Sequence, residues 1–332
     1  MSPTRSTPPR DLPHTTAGRP GPARPLALLL AAGLLLGGCD GQPPSAGIEP
    51  DAPAAEANRR RAEQLADQAA ARLDQPPENL RRAFHRAVLA LLTGPAEQRR
   101  KAAEQLGHLR RPAATGPLSL AARDDAPAVR AEALTALGRL SGGDARPALL
   151  AGLADDQAVV RAAACAAAAR RGRTVGGLGP ALTARLGDRD PDVRAEAALA
   201  LSASGQASAA EDLARTAEDP SPKVAAAAVA ALGQLGGPGA LNGLLAASEH
   251  PSAKVRYVAV GALGARGERR ATPTLIRRIG DSHPTVRLAA VKALGQVGDR
   301  RASEALRAAR AIDQPGLAAA IERALAAIDA AR

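Results

Sequence analysis

The sequence has no tryptophan, one tyrosine and one phenylalanine in 332 residues. Aromatic side chains therefore cannot fill a large core or pocket, and base-stacking platforms for single-stranded nucleic acid are excluded. The five histidines, His14, His85, His108, His250 and His283, never fall three or four apart, so no helix offers a ready pair of metal ligands. No Walker-type loop, glycine-rich dinucleotide fingerprint, Gly-x-Ser-x-Gly elbow or reactive-cysteine setting occurs. The expectation is no catalytic, metal or cofactor site and no small-molecule pocket. The two cysteines are Cys39 and Cys165, the latter inside an alanine run, AAACAAAA, that reads as packing. What is abundant is alanine, within an apolar fraction of 45%. Alanine favours helix and lets helices approach closely, which implies many thin contacts rather than one thick core.

Arg5, Arg10, Arg19 and Arg24 precede an eleven-residue apolar run at 26–36, LALLLAAGLLL, too short for the roughly 20 residues a spanning helix needs. Leu36-Gly37-Gly38-Cys39 follows and resembles the lipobox of bacterial lipoproteins. The resemblance implies a signal peptide at 1–38, lipidation of Cys39 and a place on the bacterial envelope facing the periplasm or exterior. An ordinary secretory signal or a short anchor, with an incidental cysteine, is the alternative. Asp40 resembles the inner-membrane retention signal of enteric lipoproteins, though that rule varies between bacteria and the destination membrane stays open. Without residues 1–38, 40 basic and 32 acidic residues remain, a formal charge of +8. Outside the cytoplasm such a chain meets anionic lipid, acidic proteins or cell-wall polymers rather than nucleic acid. With Cys39 lipidated, no intramolecular disulfide is available.

Residues 39–54 are rich in Pro, Gly, Ser and acidic residues and read as a disordered tether. A period of about 31 residues organises the rest. Val129-Arg130, Val160-Arg161, Val193-Arg194, Val255-Arg256 and Val286-Arg287 recur, with Val224-Ala225 a degenerate copy and Arg99 a weaker one upstream. Six residues before the arginine position stand Asp124, Asp155, Asp188, Asp219, His250 and Asp281. Three before it, Pro127, Pro191, Pro222 and Pro284 mark helix starts, with Asp190 and Ser221 as candidate caps. Gly138, Gly233, Gly264 and Gly295 lie eight after it, where close helix crossings are expected. Gly172, Gly205, Gly236, Gly267 and Gly298 lie eleven after it, where left-handed C-caps are expected.

Residues 281–298, DSHPTVRLAAVKALGQVG, resemble the short HEAT-like repeat of the phycobilisome-lyase type, and the resemblance extends over 93–332. It implies an all-α, right-handed α-solenoid of about eight short helical hairpins. Residues 55–92 read as N-terminal capping helices, with a stripe at Leu80, Ala83, Phe84, Ala87, Val88, Leu91 and Leu92 facing residues 96–110. Residues 316–331 lack the Asp and Arg signature and read as a terminal cap.

Residues repeated once per hairpin form a structural ladder, not a catalytic pair: Asp124, Arg130, Asp155, Arg161, Asp188, Arg194, Asp219, Arg256, Asp281 and Arg287. Loss of one carboxylate is expected to cost about 1–3 kcal/mol, and Ala225 and His250 are expected to interrupt the ladder in adjacent units. Two sets of residues are candidates for partner binding. Arg269, Arg270, Arg300 and Arg301 occupy equivalent turns of consecutive hairpins, with Arg277 and Arg278 near them, and suit an acidic protein partner. Tyr257 and Leu288 stand where earlier units have alanine. The function expected is a membrane-anchored envelope scaffold, with an enzyme or enzyme accessory acting on an envelope substrate as the alternative.

Overall fold

The computed structural model describes residues 52–331, of which 52–54 only as backbone. The expected signal peptide, Cys39 and most of the expected tether lie outside the described residues. Helix α1, Ala52–Ala71, includes the last three residues expected in the tether, so that boundary moves to 52. Its C-terminal half packs through Ala62, Ala66, Ala69 and Ala70. Helix α2, Glu78–Thr93, buries Phe84, Ala87, Val88 and Leu91, the centre of the expected stripe, and pairs with α1 and α3.

Seven hairpins follow. Their long helices are α3 Ala96–Leu109, α5 Pro127–Arg139, α7 Ala158–Arg171, α9 Pro191–Ala203, α11 Pro222–Leu235, α13 Ala253–Arg266 and α15 Pro284–Val297. The short helices between them are α4 Thr115–Ala121, α6 Arg146–Leu153, α8 Gly179–Arg185, α10 Ala210–Thr216, α12 Gly237–Ala247, α14 Thr272–Arg278 and α16 Ser303–Ala308. Each long helix packs against the long helices before and after it and against short-helix neighbours, giving two layers in sequential order. Helix α17, Leu317–Ala330, closes the stack on α15 with Leu317, Ile321 and Ile328 inward and Glu322 and Arg323 outward. No strand occurs among the described residues.

The periodic residues act as their chemistry requires. Pro127, Pro191, Pro222 and Pro284 are the first residues of α5, α9, α11 and α15, where the missing N–H leaves no bond unmade. Asp190 accepts from the N–H groups of Asp192 at 2.8 Å and Val193 at 3.4 Å. Ser221 makes no such side-chain bond; its turn is held instead by Asp219, which accepts from the Ser221 N–H at 2.8 Å. The five expected cap glycines all take positive φ, from +52° at Gly172 to +77° at Gly236.

Between long helices the packing is glycine on alanine. A Cβ placed on Gly138 would stand 2.8 Å from the Ala167 Cα, and one on Gly264 2.7 Å from the Ala293 Cα. Gly107 on Ala136, Gly233 on Ala262 and Gly295 on Ala324 repeat the contact. The core is thus thin and continuous, as the scarcity of aromatics implies. Cys165 is fully buried within it, and burial pushes its thiol up to about 12, with Glu196 adding to the effect. That removes the thiolate that reactivity needs.

Candidate functional site

The arginine in the first turn of six of the seven long helices reaches forward to the next unit. Arg130 forks onto Asp155 through Nε at 2.8 Å and Nη2 at 2.9 Å, and Arg161 onto Asp188 at 2.7 Å through both nitrogens. Arg194 on Asp219 and Arg256 on Asp281 repeat the geometry, and the weak copy Arg99 does so on Asp124. The third nitrogen turns back: Nη1 of Arg130, Arg161, Arg194 and Arg287 donates at 2.9 Å to the carbonyl six residues earlier. Each carboxylate also accepts the backbone N–H two residues on, at 2.9 Å for Gln157 and 3.0 Å for Asp190. Carboxylate and guanidinium are both saturated, so the ladder holds the stack together and leaves no free acid or base.

Its electrostatics vary along the stack. The Arg161 guanidinium holds the Asp188 carboxyl below the usual carboxylate range against the opposing effect of burial. At Asp219 and Asp281 burial works upward, and their arginine partners together with the backbone N–H groups of Ser221 and His283 bring the carboxyls down nonetheless. At Asp124, wholly sequestered, burial prevails over Arg99 and raises the carboxyl.

The interruption is one missing rung. The geometry pairs position 225 with position 250, and there Ala225 is fully buried while His250 replaces the carboxylate. Ala225 and His250 are therefore the two ends of a single link rather than separate faults in adjacent units. His250 keeps the turn function, because its Nδ1 accepts from the Ser252 N–H at 3.0 Å and its carbonyl accepts from Arg256. Beside it Glu249 pairs with Arg277 and Arg278 around an open cleft of about 260 Å³. Ala225→Arg alone should destabilise the stack by stranding a guanidinium. Adding His250→Asp should recover the loss, with a coupling of about 1–3 kcal/mol in a double-mutant cycle of chemical unfolding. Additive effects would refute the pairing.

Two links were not anticipated. Arg287 finds no carboxylate and donates instead to the Gln314 Oε1 at 2.7 Å, while the Gln314 amide returns to the Pro284 carbonyl at 3.0 Å. Arg171 is buried and donates to the carbonyls of Leu140 at 2.7 Å, Gly142 at 3.0 Å and Gly143 at 2.8 Å, satisfying the turn of the preceding hairpin.

The basic residues separate in space. Arg269, Arg270 and Arg300 are exposed in the turns before α14 and α16, whereas Arg301 is fastened to Asp299 and donates to the Arg269 carbonyl at 3.1 Å. Arg301 and burial act oppositely on Asp299, and the arginine, helped by Thr272, brings that carboxyl down to about 2. Arg277 and Arg278 lie at the other end of α14, joined to Glu249 and Asp281 on the ladder side, so they are not part of the same edge. Tyr257 is 51% exposed, but Leu288 is half-buried against the core. Val159, 58% exposed on α7, passed unnoticed. Its signal was a large apolar side chain where the preceding unit carries Ala128 and the later units carry Asp192, Lys223, Lys254 and Thr285.

Among the described residues no cluster of His, Cys, Asp or Glu is arranged to hold a metal ion, and no helix is long and apolar enough to cross a membrane. A family model for HEAT repeats matches residues 85–169, 179–249 and 241–326. Curated protein sequences offer no significant relative. Among solved structures, Escherichia coli YibA is 19% identical with a TM-score of 0.49, over 87% of this chain and 99% of that one. The CpcE–CpcF complex of phycocyanin lyase from Nostoc gives 22% and 0.43, over 77% and 96%. The complex of Kap95p with RanGDP gives 13% and 0.52, over 85% of this chain and 48% of the matched one. These likenesses concern the fold.

Proposed function

The chain belongs to the HEAT-repeat family, and on that premise we propose that it is a lipid-anchored scaffold of the bacterial envelope, holding a protein partner on the open face of its long helices. HEAT solenoids commonly bind proteins, and Kap95p, similar in fold, is seen bound to RanGDP. The observation that carries the reading is the pair of large exposed apolar side chains, Val159 on α7 and Tyr257 on α13. They stand two before and one after their arginine positions, hence on one helical face. Three helix spacings separate them, roughly 30 Å, with the small, buried Ala195 and Ala226 and the exposed Asp192–Lys223 ion pair in the lane between. Such a lane suits an extended partner gripped at two anchor points, and an exposed aromatic is the usual kind of anchor. Cys39 supplies the anchor to the membrane.

Capture from solubilised membranes tests the partner: Val159→Ser with Tyr257→Ser should lose at least about tenfold of a specific protein retained by the wild type. Equal recovery overturns this face. Cys39→Ser should release the protein from membranes and remove acyl mass; unchanged fractionation overturns the anchor. Turnover of a cell-wall or lipid substrate by the purified chain would favour the enzyme alternative.

A further inference from the structure

The turns that join each long helix to its short helix form one edge of the stack, and successive turns touch. Arg171 reaches the carbonyls of Gly142 and Gly143, Arg266 that of Gly237, and Arg301 that of Arg269. On this edge Arg110 and Arg111 precede α4, Arg146 begins α6, and Arg173 precedes α8. Towards the other end stand Arg269, Arg270 and Arg300. All seven are exposed, and none has a carboxylate within ion-pair distance among the described residues. Most acids of the edge are already engaged, since Asp144 accepts from the Arg146 N–H, Glu268 pairs with Arg266, and Asp299 with Arg301. Glu211 and Glu304, in the first turns of α10 and α16, are the exposed acids without an ion-pair partner among the described residues.

The opposite edge has another character. There the ladder neutralises its own carboxylates, and Arg185, Arg215, Arg278 and Arg310 each have an acidic partner. Among the described residues its exposed cations without one are Arg123, Arg189, Lys254 and Arg307. The molecule is therefore polarised across its width, with uncompensated guanidinium groups concentrated on one side.

We propose that this edge rests on anionic phospholipid, laying the solenoid edge-on to a membrane. Three features favour lipid over an acidic protein. First, the turns carry Gly, Pro, Ala and Ser between the arginines and no large exposed apolar side chain, so a protein partner finds no anchor there. The exposed apolar groups Val159 and Tyr257 lie on long helices and Leu120 and Leu150 on short ones. Second, the charges are strung over six helix spacings, about 50–60 Å, with uncharged turns at Gly205-Gln206 and Gly236-Gly237. That pattern imposes no register, and a fluid array of headgroups can meet each charge where it stands. Third, every one of the seven is arginine, whose planar fork pairs with phosphate oxygens in a bidentate manner. The inference takes its setting from the envelope reading, but the affinity of the edge is independent of Cys39.

The test uses full-length, unlipidated Cys39→Ser protein and vesicles of phosphatidylcholine with or without phosphatidylglycerol. Sedimentation should show binding to the anionic vesicles only, weakening as salt rises. Replacing Arg110, Arg111, Arg173, Arg269, Arg270 and Arg300 with Gln should lower that binding by at least about a hundredfold, given that each basic residue near an anionic surface contributes about a factor of five. The control, Arg123, Arg189 and Lys254 to Gln on the opposite edge, should change it by less than about threefold. No binding of wild type to anionic vesicles, or equal loss in both variants, overturns the assignment. So does failure to bind vesicles together with edge-dependent capture of an acidic protein. Because the protein carries no acyl chain here, these results are separate from the fate of the anchor.

Discussion

Asp188→Ala should lower the unfolding free energy by about 3 kcal/mol, the upper end of what the sequence alone suggests. The carboxylate removed is 3% exposed and its Arg161 partner 13% exposed, so the stranded guanidinium has little water to turn to. The same substitution leaves the Asp190 N–H without its acceptor. Asp188→Asn should fall between, because the amide oxygen can keep the turn bond while the ion pair is lost. The pH dependence has a definite sign. Arg161 chiefly depresses the folded-state pKa of Asp188, so the stabilisation is present above the unfolded carboxylate value near pH 4 and is lost as pH falls through the lower folded value. The gap in urea midpoint between wild type and Asp188→Ala should therefore narrow below about pH 4. A constant gap from neutral pH to acid would show that the charge of Asp188 does not act through Arg161.

What repeats in the sequence was legible in it; what joins one repeat to the next was only partly so. Proline at a helix start and glycine after a helix end each satisfy a local backbone requirement, and Pro284 and Gly298 stand where their spacing places them. The ladder was recognisable because its two members recur at fixed offsets. Its connectivity was not, since the offset within a repeat brings Asp124 and Arg130 together only through a carbonyl, while the carboxylate of Asp155 comes from the next hairpin. That displacement is why Ala225 and His250 read as two faults and prove to be one missing link. Gln314 escaped detection because its neutral amide sits 27 residues beyond Arg287, where the regular Asp offset would fall on Ile312. Arg171 escaped because its position, ten past Arg161, holds arginine again only at Arg266, which reaches the Gly237 carbonyl, so it forms no regular series along the repeats. For the candidate site, residue type identified Tyr257 and the basic turns. Direction along a helix, which separates Arg277 and Arg278 from Arg269 and Arg270 at opposite ends of α14, needed the folded chain.

Two glycines of one helix should respond to alanine with opposite sign. Gly261 and Gly264 both lie within α13, and an exposed interior glycine costs a helix about 1 kcal/mol relative to alanine. At Gly261 a new Cβ meets nothing within 4 Å, so Gly261→Ala should stabilise by about that amount. At Gly264 the same methyl would stand 2.6 Å from the Ala293 Cβ, 2.7 Å from its Cα and 2.5 Å from the Gln296 Oε1. The glutamine tip can swing aside, but the Ala293 backbone belongs to α15 and can retreat only if the two long helices separate. Overpacking of this kind typically costs about 1–3 kcal/mol, enough to outweigh the gain in propensity, and Gly264→Val should exceed 3 kcal/mol because a branched side chain needs still more space. In a solenoid each interface supports the units on both sides, so the damage should spread to hydrogen-exchange protection in α13 and α15 and leave α3 and α5 largely protected. Equal stabilisation by Gly261→Ala and Gly264→Ala in urea unfolding would contradict the close crossing and leave the thin alanine core without its explanation.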